Sequence, residues 1–118
     1  MPMPEPKTRD EALLLGRLTF QFANFEEKVI AFSEGGLTSG PGPRGFGLLV
    51  VLNEGLMFYV DDDKVLVCPW ETVKNVKEKN KLIGRQVTIL RTQEASLIFR
   101  VSSASIGSEI SRTWQASR

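Results

Sequence analysis

Five cations fall within twelve residues: Lys74, Lys77, Lys79, Lys81 and Arg85, diluted only by Glu78. Clustered cations can hold an anionic surface, each contributing on the order of 1 kcal/mol beside an acidic lipid leaflet. The same charges suit an acidic face on a partner protein. They also lie around a predicted hairpin, Glu78-Lys79-Asn80-Lys81, where lysines commonly serve only to keep a sheet edge solvated and unpaired.

Three other groupings carry weaker chemistry. Gly40-Pro41-Gly42-Pro43-Arg44-Gly45 has the letters of a dinucleotide fingerprint. That mechanism needs the glycines to open a helix whose N-terminus holds a pyrophosphate, whereas a β-rich run follows here and two prolines remove amides. Asp61-Asp62-Asp63 lacks the spaced ligands and closing glutamate of a calcium loop and reads as a turn. Cys68 stands alone, which excludes an internal disulfide and zinc sites built on paired cysteines.

The chain has no histidine, so the commonest general base and metal ligand are missing, and Cys68 has no imidazole to activate it. No catalytic residue, metal ligand or cofactor is therefore assigned, and Trp70, Trp114 and Cys68 read as core. Length, 42% apolar and 25% charged content describe one globular domain. Charge is uneven: residues 1–63 carry 5 basic and 10 acidic groups, residues 64–118 carry 10 and 4, a net −5 against +6. The prolines of residues 1–7 predict a flexible lead-in without the order of a secretion signal, and 8–118 a single domain. No run approaches a membrane span. The expected location is cytoplasmic, peripheral at a membrane if the lysines are used in that way.

These groups must be held by elements, and most of the elements are strands. Thr8-Arg9-Asp10-Glu11 has capping-box spacing, and Leu14, Leu15 and Leu18, with Phe22 and Phe25 further on, recur as on one face of a short helix. From Lys28 to Leu37 the β-branched and aromatic pattern Val29 to Phe32 predicts a strand ending in Gly35-Gly36, and a Gly/Pro loop covers residues 38–45. Strands follow at 46–52 and 56–60, joined by an Asn53-Glu54-Gly55 turn, and at 65–68, stopped by Pro69. Residues 70–78, with Val73 and Val76 among polar neighbours, predict a brief turn leading into an edge strand. Gln86 to Leu90 and Ser96 to Val101 alternate polar with apolar, as half-buried antiparallel strands do. Ile106, Ile110 and Trp114, four apart, mark a C-terminal helix.

About seven antiparallel strands followed by one amphipathic helix resemble the pleckstrin-homology-like superfamily, in its GRAM-like or bacterial pleckstrin-like forms. The pieces that carry the resemblance are Phe25-Glu26-Glu27-Lys28-Val29, Gly47 to Val51, Gly55-Leu56-Met57-Phe58, Val67-Cys68-Pro69-Trp70, Val73-Lys74-Asn75-Val76, and Ile106 to Trp114. It implies a mainly β fold, a seven-stranded barrel of two packed sheets capped by the C-terminal helix. It implies fold rather than role. The expected function is a binding or scaffold module acting through protein contacts or self-association, with peripheral attachment to anionic lipid through Lys74 to Arg85 as the alternative. No nucleic acid is expected.

Overall fold

The computed structural model describes residues 3–81 and 84–118; Met1 and Pro2 of the predicted lead-in lie outside them. Helix α1 (Arg9–Gln21) and the single turn α2 (Phe25–Lys28) precede strands β1 (Val29–Ser39), β2 (Phe46–Leu52), β3 (Gly55–Asp61) and β4 (Lys64–Pro69). A 3-10 turn at Trp70–Thr72 leads to β5 (Val73–Asn80), β6 (Arg85–Arg91), β7 (Leu97–Val101) and α3 (Ile106–Ala116). Among the described residues, no helix is long and apolar enough to cross a membrane.

The seven strands form one antiparallel sheet in the order β4-β3-β2-β1-β7-β6-β5. The expectation of a barrel made from two packed sheets is corrected here. The sheet is continuous and open, with β4 and β5 as its two edges. The cause is the length of β1, whose first part pairs with β2 and whose last part pairs with β7. Gly35 lies where both pairings overlap, opposite Gly47 on one side and Val101 on the other. A Cβ at Gly35 would stand 2.3 Å from the Arg100 carbonyl oxygen, so only glycine lets the neighbouring strand come this near.

Both faces of the sheet are covered near β2 and β3. Leu49, Val51, Leu56 and Phe58 point inward to a core completed by Val87, Ile89, Leu97, Phe99 and the α3 residues Ile106, Ile110 and Trp114. Leu48, Val50, Met57 and Tyr59 point the other way, under Leu14, Leu15 and Leu18 of α1 and Phe25 of α2. The uninterrupted apolar run 46–52 thus belongs to a strand buried on both sides rather than to one facing water. α1 is a structural layer.

Local chemistry fixes the two helices. The Thr8 hydroxyl accepts the Glu11 amide at 3.1 Å and donates to the Glu34 carboxylate, so one N-cap both starts α1 and ties it to β1. Glu11 completes a variant of the predicted box, its carboxylate accepting the Lys7 amide at 2.7 Å in place of the Thr8 amide. At the other end of the chain, the Trp114 indole donates to the Val73 carbonyl at 3.2 Å and the Trp70 indole to the Leu52 carbonyl at 3.1 Å. Both tryptophans are buried core residues whose single polar atom is satisfied.

Candidate binding surfaces

The pleat of β5 decides what the cationic run can do. Val76 packs against the inner core, and Glu78, two residues on, turns the same way. Its carboxylate lies over Gly107 in the first turn of α3, where a Cβ at Gly107 would be 1.6 Å from Oε2. A negative charge there complements the helix N-terminus. Lys77 and Lys79 point to the opposite, outer face of the sheet and are exposed. The single acidic residue of the run is thereby removed from the lysine side.

Arg85 does not join them. It precedes Val87, a core residue, by two positions and so projects to the inner side of the rim, where it is half-buried. Lys74 is exposed beside the irregularity between Val73 and Asn75, where two β5 residues meet one step of β6. Lys81 is half-buried just past β5, its amide bonded to the Gly84 carbonyl at 3.3 Å. The connection between β5 and β6 therefore lies at 81–84, not at 78–81, and Lys79 belongs to the strand. Leu82 and Ile83 of that connection lie outside the described residues.

A residue absent from the sequence reading completes the outer face. Successive register partners run Lys79, Gln86, Arg100, Gly36 and Phe46 across β5, β6, β7, β1 and β2, a row spanning roughly 19 Å at about 4.8 Å per strand. Lys79 and Arg100 are exposed at one part of this row, and Phe46, 52% exposed, ends it. Between them a shallow groove of about 420 Å³ is floored by Gly35 and Gly84 and flanked by Glu34. Glu34 is pushed up from its ordinary pKa of 4.5, first by burial and then by the charges of Glu11 and Asp10.

The Gly/Pro loop has a positional role. Gly40, Gly42 and Gly45 take positive φ, and the Arg44 guanidinium donates to the Gly40 carbonyl at 2.8 Å. Gly42 rests against Leu37 and Leu66, so the loop covers the core at one end of the sheet. The strand β2 follows it directly, and no helix N-terminus is present for a phosphate.

Several other titratable groups hold structure together. Asp62 accepts the Tyr59 hydroxyl, and burial first, then this bond, pushes the phenol up to about 12. Arg91, buried at the end of β6, donates to the Ala95 carbonyl at 2.8 Å and pairs with Glu94 at 2.6 Å, pinning the β6–β7 turn. Cys68 is buried. Among the described residues, no group of three or more His, Cys, Asp or Glu side chains is placed to hold a metal ion.

The two sheet edges differ in a way that composition alone does not reveal. β5 carries exposed Lys74, Lys77 and Lys79, whereas the Val65-Leu66-Val67-Cys68 stretch of β4 has no charge and exposes Val67 at 59%. No family model matches the chain. No curated protein matches it.

Proposed function

We propose that this chain is a non-catalytic binding module of pleckstrin-like construction that works through protein contacts, taking an extended segment of a partner along β4. The strand order and the C-terminal helix support the pleckstrin-like reading, and the contrast between the two edges carries the functional one. Sheet edges left open are templates for pairing, and charged side chains are the usual guard against it. β5 carries that guard along its length, whereas β4 carries it only at its ends, Lys64 and Pro69, and leaves Val65–Cys68 between them uncharged. A partner strand added at β4 gains main-chain hydrogen bonds, with Val67 supplying an apolar contact. The test is selection of extended peptides from a random displayed library, followed by amide chemical-shift mapping. Shifts centred on Val65–Cys68, and loss of binding in Val67→Lys, are the expected result. Failure to select any peptide, or shifts centred on α1 or on the outer face of β5 to β7, would sink the reading.

A second reading, weak attachment to an anionic lipid surface, is favoured by one observation: Lys77, Lys79 and Arg100 share the outer face of the sheet while Glu78 is turned to α3. Its active set is then Lys77, Lys79 and Arg100, with Arg85 excluded.

A further inference from the structure

The outward ridge of α1 has features that the chain's own core does not require. Glu11, Leu14, Leu15 and Leu18 are the buried side. At about 100° per residue, Phe20 lies about 170° from the centre of that side, and it is 91% exposed. Leu13, 54% exposed, shares the ridge, together with exposed Arg9 and Gly16. Among the described residues, a Cβ at Gly16 would meet nothing within 4 Å. Glycine inside a helix weakens it relative to alanine, and no described neighbour requires one here. Alongside the ridge, Met3, Pro6, Ala12, Gly16 and Phe20 line an open apolar groove of about 570 Å³.

We infer that this ridge is a self-association surface whose occupant is the α1 ridge of a second copy, packed antiparallel about a two-fold axis between Leu13 and Leu14. The inference rests on the reading that the chain works by protein contact, and charge selects the occupant and its direction. Asp10 and Arg17 flank the same side of the ridge, seven residues and so about 10.5 Å apart. Among the described residues neither is in an ion pair within the chain. A two-fold axis at that level brings Asp10 of each copy level with Arg17 of the other, giving two opposite-charge contacts. A parallel pairing would instead bring Asp10 level with Asp10 and Arg17 level with Arg17, on opposite flanks of the contact, and would join no opposite charges.

The same register accommodates the rest of the ridge. Leu13 meets its own copy at the axis. Phe20 comes level with Lys7 of the second copy, beside Pro6 and the apolar groove. Arg9 falls between Gly16 and Phe20 of the second copy, where the missing Cβ leaves room for its stem and the aromatic ring can face its guanidinium. A two-fold contact is self-complementary in this sense: one patch must match itself, and the closed pair leaves no ridge free to extend.

The test is sedimentation equilibrium of the full chain over a concentration series, with folding checked by circular dichroism. The expected mass rises from that of the 13.2 kDa monomer towards twice that value. Phe20→Glu, at an exposed position, abolishes the rise while the chain stays folded. Asp10→Arg and Arg17→Asp each weaken association at least several-fold, and the double exchange restores it. Gly16→Ala weakens association while raising the melting temperature of the monomer, two opposite signs that a purely structural role cannot produce. A chain that stays monomeric throughout, a dimer indifferent to Phe20→Glu, or single exchanges that the double exchange does not rescue would overturn the proposal. So would a monomer that uses Phe20 only to sediment with lipid vesicles, since the occupant would then be a membrane. Peptide mapping at β4 is a separate measurement, so loss of the dimer leaves the strand-pairing reading standing, and the converse holds.

Discussion

The Trp114 indole and the Val73 carbonyl, 41 residues apart in the chain, meet at 3.2 Å and lock the end of α3 to the start of edge strand β5. The bond is buried, so neither group has water as an alternative partner. Trp114→Phe keeps most of the ring and removes the donor, leaving an unsatisfied carbonyl; the expected loss is about 1–3 kcal/mol. Trp114→Ala also opens a cavity, and roughly 3–5 kcal/mol is expected. Urea denaturation of the three proteins measures both. A Phe variant as stable as the parent would show that the bond contributes nothing.

The chain has one tyrosine, which makes Tyr59 directly readable. Its phenol is pushed up to about 12 in the folded state, whereas an unfolded phenol ionises near 10. Between those values the unfolded chain has released a proton that the folded chain still holds, so stability falls as pH rises through the window. Absorbance titration at 295 nm should give a midpoint near 12 for the folded chain; a midpoint near 10 would mean that the phenol is not enclosed between β3 and α1.

Glu34 carries the opposite end of the pH scale. Its raised pKa means that the folded chain keeps this proton longer than the unfolded one. The linked stability is therefore greatest below the unfolded value and declines as pH rises through the folded value. Glu34→Gln keeps an acceptor for the Thr8 hydroxyl, removes the charge, and should raise the melting temperature at neutral pH with little change in strong acid. An equal gain at both pH values would assign the effect to something other than ionisation.

Gly55 leads β3 at a place where a Cβ would stand 2.4 Å from the Cys68 carbonyl oxygen. The obstacle is backbone, which cannot step aside as a side chain can. Gly55→Ala should cost about 1–3 kcal/mol, as overpacking in a dense interior does. Calorimetry of this variant beside Gly16→Ala, where space is open and about 0.8–1 kcal/mol of stabilisation is expected from helix propensity, gives two alanines of opposite sign.

For the lipid reading, Lys77→Glu/Lys79→Glu should abolish sedimentation with acidic vesicles at low salt, and Arg85→Glu should leave more than half of it. Equal losses would show that the strand pleat does not organise the charges. Binding that persists in the double variant would exclude the outer face altogether.

Much of this architecture was legible because strands announce themselves locally. The runs at 46–52, 56–60, 65–68, 86–90 and 96–101 match β2, β3, β4, β6 and β7, and the Ile106, Ile110, Trp114 spacing matches α3. β1 was misjudged for a physical reason. Gly35-Gly36 reads as an ending because glycine weakens an isolated strand, yet here close approach of β7 demands it, and the strand continues to Ser39. Surfaces were less legible than elements. Five cations in a row of letters became two outward lysines, an inward arginine and two at the irregular ends, because alternation acts only once the register is known. Arg100 entered the same face from 21 residues beyond Lys79, a neighbour that no window along the chain contains. Phe20 did have a signal: it stands opposite Leu14, Leu15 and Leu18 on a helical projection.

β1 is the seam of the sheet, hydrogen-bonded to β2 along one part and to β7 along the other. A molecule stitched along one shared strand has no line on which it can be torn into two survivors. Freeing β2, β3 and β4 strips one margin of the seam and bares the inner core that β6 and β7 need. Proton exchange at the buried amides of Val50 and Val87, on opposite halves of the sheet, should therefore report a single opening event with one free energy.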